Sequence, residues 1–282
     1  MKLVSFTTDN GPSFGVLRED GIIDAGARMP QYADLTAALG DLPGLEALAG
    51  DPADYPLGSV KLLPPIPRSS RIICVGLNYK THIAETGNEP PAFPSLFPRY
   101  PDSIVADGEP IIRPRVSVTL DFEGELAVVI SKPGRNIPVD AALDHVAGYA
   151  CFNDGSIREF QRHTNQVLPG KNFHRTGSFG PWLVTKDEAG DVNDLQLTTR
   201  LNGEIVQQSG VDDLLFGVEA LIAYVSQIWE VQPGDVIVTG TPGGVGALRK
   251  PPLWMKPGDL VTVEIDRLGT LSNPVVAEED LL

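Results

Sequence analysis

The chain has 282 residues, enough for one large domain or two ordinary ones and for a sizeable buried core. Its 37 acidic residues against 22 basic ones give a formal charge of −15, a field that repels phosphate backbones and anionic lipid headgroups, so no nucleic acid and no membrane partner is expected. Hydrophobic residues make up 42%, yet no stretch approaches the ~18 uninterrupted apolar residues of a membrane span, and the start alternates instead of forming a signal-like block; a soluble, unprocessed, cytoplasmic protein is expected.

Short strands are predicted at Lys2–Phe6, Phe14–Leu17 and Gly21–Asp24, then a helix from Tyr32 to about Ala49 with Leu35, Ala38 and Leu42 on one face. The proline-rich LLPPIPRSS resists helix and ladder alike, which puts a boundary within 62–70 and divides a small N-terminal α/β domain, 1–65, from a larger one, 66–282. RIICVGL (71–77) reads as a buried strand and NYKTHIAETG (78–87) as one or two helical turns closed by Gly87, with His82 and Glu85 on one face at i, i+3. The seven prolines of 88–117 predict extended loop and sheet edge.

DFEGELAVVI (121–130) and GYACFND (148–154) predict strands, and SIREFQRH (156–163) a short helix with Ser156 and Glu159 at capping-box spacing. LTTRLNGEIVQQ (197–208) predicts a hairpin turning on Asn202-Gly203. Asp213 is placed to cap a helix over 214–229, whose apolar stripe runs from Leu214 through Val218, Leu221, Ile222 and Val225 to Trp229. PGDVIVTG (233–240) and PGDLVTVEI (257–265) each read as a turn and a strand. Scattered turns between short strands, with few helices and no strict alternation of strand and helix, predict a β-rich α+β fold built as a sandwich or roll. Cys74 and Cys151 lie in apolar runs and read as buried thiols of a reducing compartment.

Two motifs carry less than their letters suggest. GPSFG (11–15) matches a nucleophile elbow, but a strand follows where the elbow needs a helix. GTPGGVG (240–246) lacks the Lys-Ser/Thr of a P-loop, and its amides remain free to approach some other anion.

The chemistry concentrates elsewhere. Asp121, Glu123 and Glu125 fall at i, i+2 and i+4, so a strand points all three to one side. That pattern fits a solvated edge, but it runs on as LAVVI into the core and has Gly124 on its other face; carboxylates partly buried in this way need a cation, and hard oxygen ligands suit Mg²⁺ or Mn²⁺. Asp154 is a turn residue or a further carboxylate for such a site. Arg158 and Gln161 are i, i+3 neighbours after it, with Arg162 and His163 read as solvent-facing.

Seven motifs in order over about residues 71–276, VGLNYKTHIAETG, DFEGEL, GYACFNDGSIREFQ, PGKNF, GPWLVT, LNGEIVQ and VIVTGTPGGVG, resemble the fumarylacetoacetate hydrolase superfamily. The resemblance implies a mixed β-sandwich roll with a small N-terminal domain, a homodimer, and one divalent cation, Mg²⁺ or Mn²⁺, per subunit. It implies Glu123, Glu125 and Asp154 as metal ligands and His82 with Glu85 as a catalytic dyad on a mobile lid. Arg158, Gln161 and Lys171 would stabilise anionic groups, Thr241 would contact the substrate carboxylate, and Arg99, where members commonly carry Lys, would stand near the mouth and bind substrate. His174 and Glu159 stand where members commonly carry Asp; Glu159 is explained as a cap partner.

The chemistry so implied is metal-dependent hydrolysis of a C–C bond in an acylpyruvate-type 2,4-diketo acid such as fumarylpyruvate, with His82 as the base toward water and Glu85 orienting it. The same site without water would decarboxylate oxaloacetate or isomerise a hydroxymuconate-type diacid. A non-catalytic scaffold is the remaining class, against which the intact acidic and basic set argues, because buried like charges cost stability.

Overall fold

The apolar run Leu126–Ile130 can be buried only if both of its faces are covered, and the fold supplies a layer on each side. The structure, a computed structural model, describes residues 1–69 and 71–281. In chain order the main strands are β1 (Lys2–Thr8), β2 (Gly11–Arg18), β3 (Gly21–Asp24), β4 (Ile72–Gly76), β5 (Ser95–Arg99), β6 (Ile111–Arg113), β7 (Gly124–Ile130), β8 (Val146–Asn153), β9 (Gly177–Thr185), β10 (Gln196–Leu201), β11 (Glu204–Gly210), β12 (Val236–Val238), β13 (Leu260–Ile265) and β14 (Gly269–Ala277). The helices that matter for the site are α1 (Lys80–Thr86), α2 (Arg158–Gln161), α3 (Leu168–Lys171) and α4 (Val218–Ile228).

One mixed sheet runs β3-β2-β1-β9-β8-β7-β12-β4-β5, and a second runs β11-β10-β13-β14-β6. Among these strands pairing is antiparallel except at β12 with β4 and β14 with β6, and the short strand Ile104–Val105 also lies parallel to β9. From β7, Leu126, Val128 and Ile130 pack toward the second sheet with Leu197, Val263, Ile265 and Leu271. Ala127 and Val129 face the opposite layer with Leu3, Phe14, Leu35 and Phe152. Each large aliphatic side chain so buried contributes about 1.5–3 kcal/mol. The architecture is the strand-rich α+β arrangement of packed sheets expected from the sequence, and both cysteines are buried and free.

Local outcomes follow the residues. The hairpin β10–β11 turns on Asn202 and Gly203 at φ 54° and 85°, between the paired Leu201 and Glu204. β5 is the proline-bearing edge strand expected from 88–117. The N-terminal strands join the large sheet where β1 pairs with β9, Lys2 opposite Val184 and Leu3 opposite Leu183. The expected boundary segment 62–70 ends on Ser70, outside the described residues, and Pro65 accepts a hydrogen bond from Ser5 in β1.

Four expected elements differ. The strand over 121–130 is interrupted at Phe122 and Glu123, so Asp121 pairs with Ser156 in a separate short strand while Gly124–Ile130 runs into the core. The helix over 32–49 is broken into α turns at Leu35–Ala38 and Leu42–Ala47 joined by a 3₁₀ turn, because Asp41 caps a fresh start by accepting from the Gly44 N–H and Pro43 has no N–H to continue the earlier ladder. The helix α4 begins only after Gly217, so Asp213 does not cap it. The stretch 156–163 is helical only over Arg158–Gln161. Ser156 and Ile157 instead pair with Asp121 and Leu120 as a short strand, and the Glu159 carboxylate accepts from Ser117, not from a capping box.

At Gly124 the two sheets approach each other closely: a Cβ there would lie 2.0 Å from Thr199 Oγ1 and 3.3 Å from Val263 Cγ1. Gly124→Ala should therefore cost about 1–3 kcal/mol by overpacking. Adding Thr199→Ala, which removes the clashing hydroxyl, should recover part of the lost melting temperature. No recovery in the double variant would place the strain elsewhere.

Candidate active site

Strand parity assembles the acidic cluster. In the β7–β8 pairing Glu125 lies opposite Phe152 and Gly124 opposite Asn153, so one step further Glu123 faces Asp154 on the same side of the sheet. The Asp154 N–H donates to the Glu123 carbonyl at 2.8 Å, extending the ladder by that step. Oxygen atoms of Glu123, Glu125 and Asp154 lie within 4.8 Å of one another, and all three residues are buried. Asp121, the first acid of the triplet, is also buried but stands aside from this group.

Cations from three elements reach the carboxylates. Lys171 on α3 pairs with Asp154 Oδ2 at 2.6 Å and contacts Glu123. Arg158 on α2 spans Asp121 Oδ2 at 2.8 Å and Glu123 Oε1 at 2.6 Å, and its other nitrogen donates to Gln161 Oε1 at 2.8 Å. Arg99 of β5 does not stand at the mouth. It is 1% exposed behind Asp154, donating to Asp154 Oδ1 at 2.6 Å and to the Gly155 carbonyl at 2.9 Å, because a buried carboxylate draws the nearest guanidinium inward.

Glu125 is the exception. Among the described residues its carboxylate has no ion pair, and its hydrogen bond comes from the Gly240 N–H at 2.6 Å. Burial, reinforced by the Asp154 and Glu123 charges, pushes its carboxyl well above the usual range. Burial also works to raise Glu123, but the charges of Arg158 and Lys171 outweigh it and hold that group below the usual range. Asp121 is raised by its burial in spite of Arg158. A buried carboxylate short of positive charge, beside two more oxygen donors, fits a divalent cation with oxygen ligands.

The loop GTPGGVG answers its own open question: the anions its amides approach are the protein's carboxylates. Gly240 N–H serves Glu125, Gly244 N–H lies 3.1 Å from both oxygens of Glu85, and Gly246 and Ala247 N–H donate to Asp121 at 2.8 and 2.9 Å. Gly244 has φ +102°, and a Cβ there would sit 2.4 Å from the Val206 carbonyl. Glu85 in turn lies 3.2 Å from His82 Nδ1 on α1. Thr241 donates to the Gly124 carbonyl at 3.0 Å and accepts from Gln207 at 2.8 Å, so its hydroxyl is held by backbone and amide.

These residues line one cavity of about 370 Å³: His82, Glu123, Glu125, Asp154, Arg158, Gln161, Lys171 and Thr241 are in its wall, with Phe97, Val167, Val245 and Leu248 as apolar surface. Glu85 lies behind His82, and Arg99 behind Asp154. Ser13, of the elbow-like motif, is on β2 and donates to Asp24 at 2.5 Å, away from the cavity. The sequence reading missed three contributors. Asp213 accepts from the Thr81 N–H and hydroxyl at 3.0 and 2.7 Å, capping α1 from across the chain. Gln207 links β11 to Thr241 and to Gly124. Arg162, read as solvent-facing, is exposed but lines the cavity.

Lys171 occupies the space between Glu123 and Asp154 that a cation would share. Lys171→Met should cost the metal-free protein about 3–5 kcal/mol, the penalty for unpairing buried charge. Added Mn²⁺ should then raise its melting temperature by more than it raises that of the wild type. Equal shifts would show that ammonium and metal do not act on the same carboxylates.

Residues 71–276 match the family model described as fumarylacetoacetate (FAA) hydrolase C-terminal. The chain is 41% identical over 290 residues to a Xenopus laevis protein named oxaloacetate tautomerase fahd2, mitochondrial, covering 98% of this chain and 90% of that one. That name places the relative in mitochondria, which differs from the cytoplasmic expectation here. Among solved structures, fumarylacetoacetate hydrolase from Exiguobacterium antarcticum aligns with TM-score 0.81 and 35% identity over 99% of this chain and 100% of that one. Maleylpyruvate hydrolase from Sphingobium sp. SYK-6, in complex with manganese(II) ion and pyruvate, aligns with TM-score 0.82 and 29% identity over 98% and 99%. With the ordered motifs, the packed sheets and the acidic cluster in agreement, the chain belongs to the fumarylacetoacetate hydrolase family.

Proposed function

We propose that this protein is a divalent-metal-dependent enzyme that interconverts the enol and keto forms of a 2-oxo diacid of the oxaloacetate class. The observation that carries the reading is Glu125, a buried carboxylate with no cation partner among the described residues, next to Glu123 and Asp154 at the closed end of the cavity. The name of the Xenopus laevis relative supports the choice of reaction. Glu123, Glu125 and Asp154 would hold Mg²⁺ or Mn²⁺, which when bound supplies a Lewis acid for the 2-oxo carboxylate end of the substrate.

The chain's own residues divide the remaining work. Lys171, Arg158 and Gln161 line the wall beside the acids and offer N–H donors to negative charge that develops on substrate oxygen. Thr241 would contact the substrate carboxylate by exchanging its hydrogen bond to the Gly124 carbonyl for one to the substrate. His82 is in the opposing helix, and with Nδ1 tied to Glu85 its Nε2 is the nitrogen left to carry a proton to or from C3. Glu85 keeps the imidazole turned that way and is itself kept in place by the Gly244 N–H. Enol and keto forms differ by the position of one proton, so one imidazole that gives and takes it suffices.

Hydrolysis of an acylpyruvate is the second reading, favoured by the manganese and pyruvate named for the Sphingobium structure. It needs the same dyad to activate water instead of moving a substrate proton. Decay of enol-oxaloacetate absorbance with Mn²⁺ or Mg²⁺ tests the first reading: Glu125→Gln should abolish acceleration, and His82→Ala should lower kcat by about 10²–10⁴. No acceleration above buffer by the metal-loaded wild type would overturn it. Pyruvate released from an acylpyruvate panel, and lost in Glu123→Ala, would instead favour the hydrolase.

A further inference from the structure

The cavity is graded in charge and burial. At its closed end every cation already has a carboxylate: Lys171 is bound to Glu123 and Asp154, and Arg158 to Asp121 and Glu123. The residues there are nearly inaccessible, with Asp154 at 0%, Glu125 at 2% and Lys171 at 3%. At the open end the wall is Leu248, exposed at 37%, and Arg162, also exposed. Among the described residues Arg162 forms no ion pair and no side-chain hydrogen bond, which makes it the cation of the cavity wall whose charge is not spent on the protein's own acids.

The backbone sets where Arg162 stands. It follows directly on α2 as the C-cap residue, its N–H bonded to the Glu159 and Phe160 carbonyls, one turn beyond Arg158. Arg158, Gln161 and Arg162 therefore rise along one short helix from the acidic floor to the rim. Val167 and Val245 add apolar wall to the cavity, a surface suited to a short hydrocarbon segment.

From this arrangement we infer that Arg162 is a specificity residue that receives the distal carboxylate of the substrate, and that the site prefers 2-oxo diacids with an apolar spacer over 2-oxo monoacids of the same length. A guanidinium presents a planar pair of donors that matches a carboxylate, and with no internal partner it gives up no ion pair on binding one. The inference rests on the proposed function, because it takes the 2-oxo end to lie on the acidic floor. Arg162 acts at the far end and moves no proton.

The test is calorimetric binding to the Mn²⁺-loaded protein of two unreactive probes of equal length, 2-oxoadipate and 2-oxohexanoate. The wild type should bind the diacid about tenfold more tightly, the scale of one charge-assisted contact at a partly open site. Arg162→Met should bring the ratio close to one, and Arg162→Lys should keep part of it. A preference that survives in Arg162→Met, or no preference in the wild type although both acids bind, would overturn the inference and leave the proposed function standing. Binding of neither acid would overturn the inference, and the enol-decay assay decides the proposed function separately. Circular dichroism melting of each variant separates a lost contact from a lost fold.

Discussion

Four carboxylates, Asp121, Glu123, Glu125 and Asp154, are buried close together in space, and the rest of the site is arranged by what that burial requires. An ionised carboxylate removed from water costs several kcal/mol unless cations and N–H donors replace the hydration. Here the replacements come from separate parts of the chain: Arg99 from an edge strand, Arg158 and Lys171 from two short helices, and backbone amides from the loop 240–247. Each cation also serves as a tether, since α2 and α3 are single turns too short to hold their position by helix formation alone. The acidic cluster is thus the joint at which edge strand, short helices and loop are fastened to the central strands.

The loop 240–247 gives that joint a second function. Its amides are committed to Glu125 on the floor, to Asp121 beside it and to Glu85 on the helix that carries His82. One segment therefore touches both the acids that could hold a metal and the dyad that faces them. A shift of α1 would be felt at Gly244, while Asp213 holds the start of that helix from the other side. The glycines of the loop read as a phosphate cradle only in isolation; in the fold they let the backbone come close enough to bind internal anions.

Much of this was legible from local pattern. Period-two alternation put Glu123 and Glu125 on one face, the fully apolar LAVVI announced a strand covered on both sides, Asn202-Gly203 announced its turn, and His82 with Glu85 followed from helical spacing. The ordered motifs added what spacing could not, since nothing local separates Asp154 from an ordinary turn residue. The same reasoning failed wherever a side chain's partner was distant. Asp213 and Glu159 look like local caps because both carry the right group at the right spacing, yet each bonds a segment that the fold brings alongside.

What the sequence determined by itself is therefore the set of faces: which residues share a side of a strand or a helix, where turns fall, and which chemistry is available. The tertiary structure decided the pairings. Arg99 turned inward to Asp154, 55 residues away, and Gly246 bonded Asp121 across 125 residues. Among the described residues Arg162 was left in the cavity wall without an ion pair. The physical reason is range: backbone periodicity and sterics act over a few residues, whereas a buried charge takes whichever counter-charge the completed packing brings within hydrogen-bonding distance.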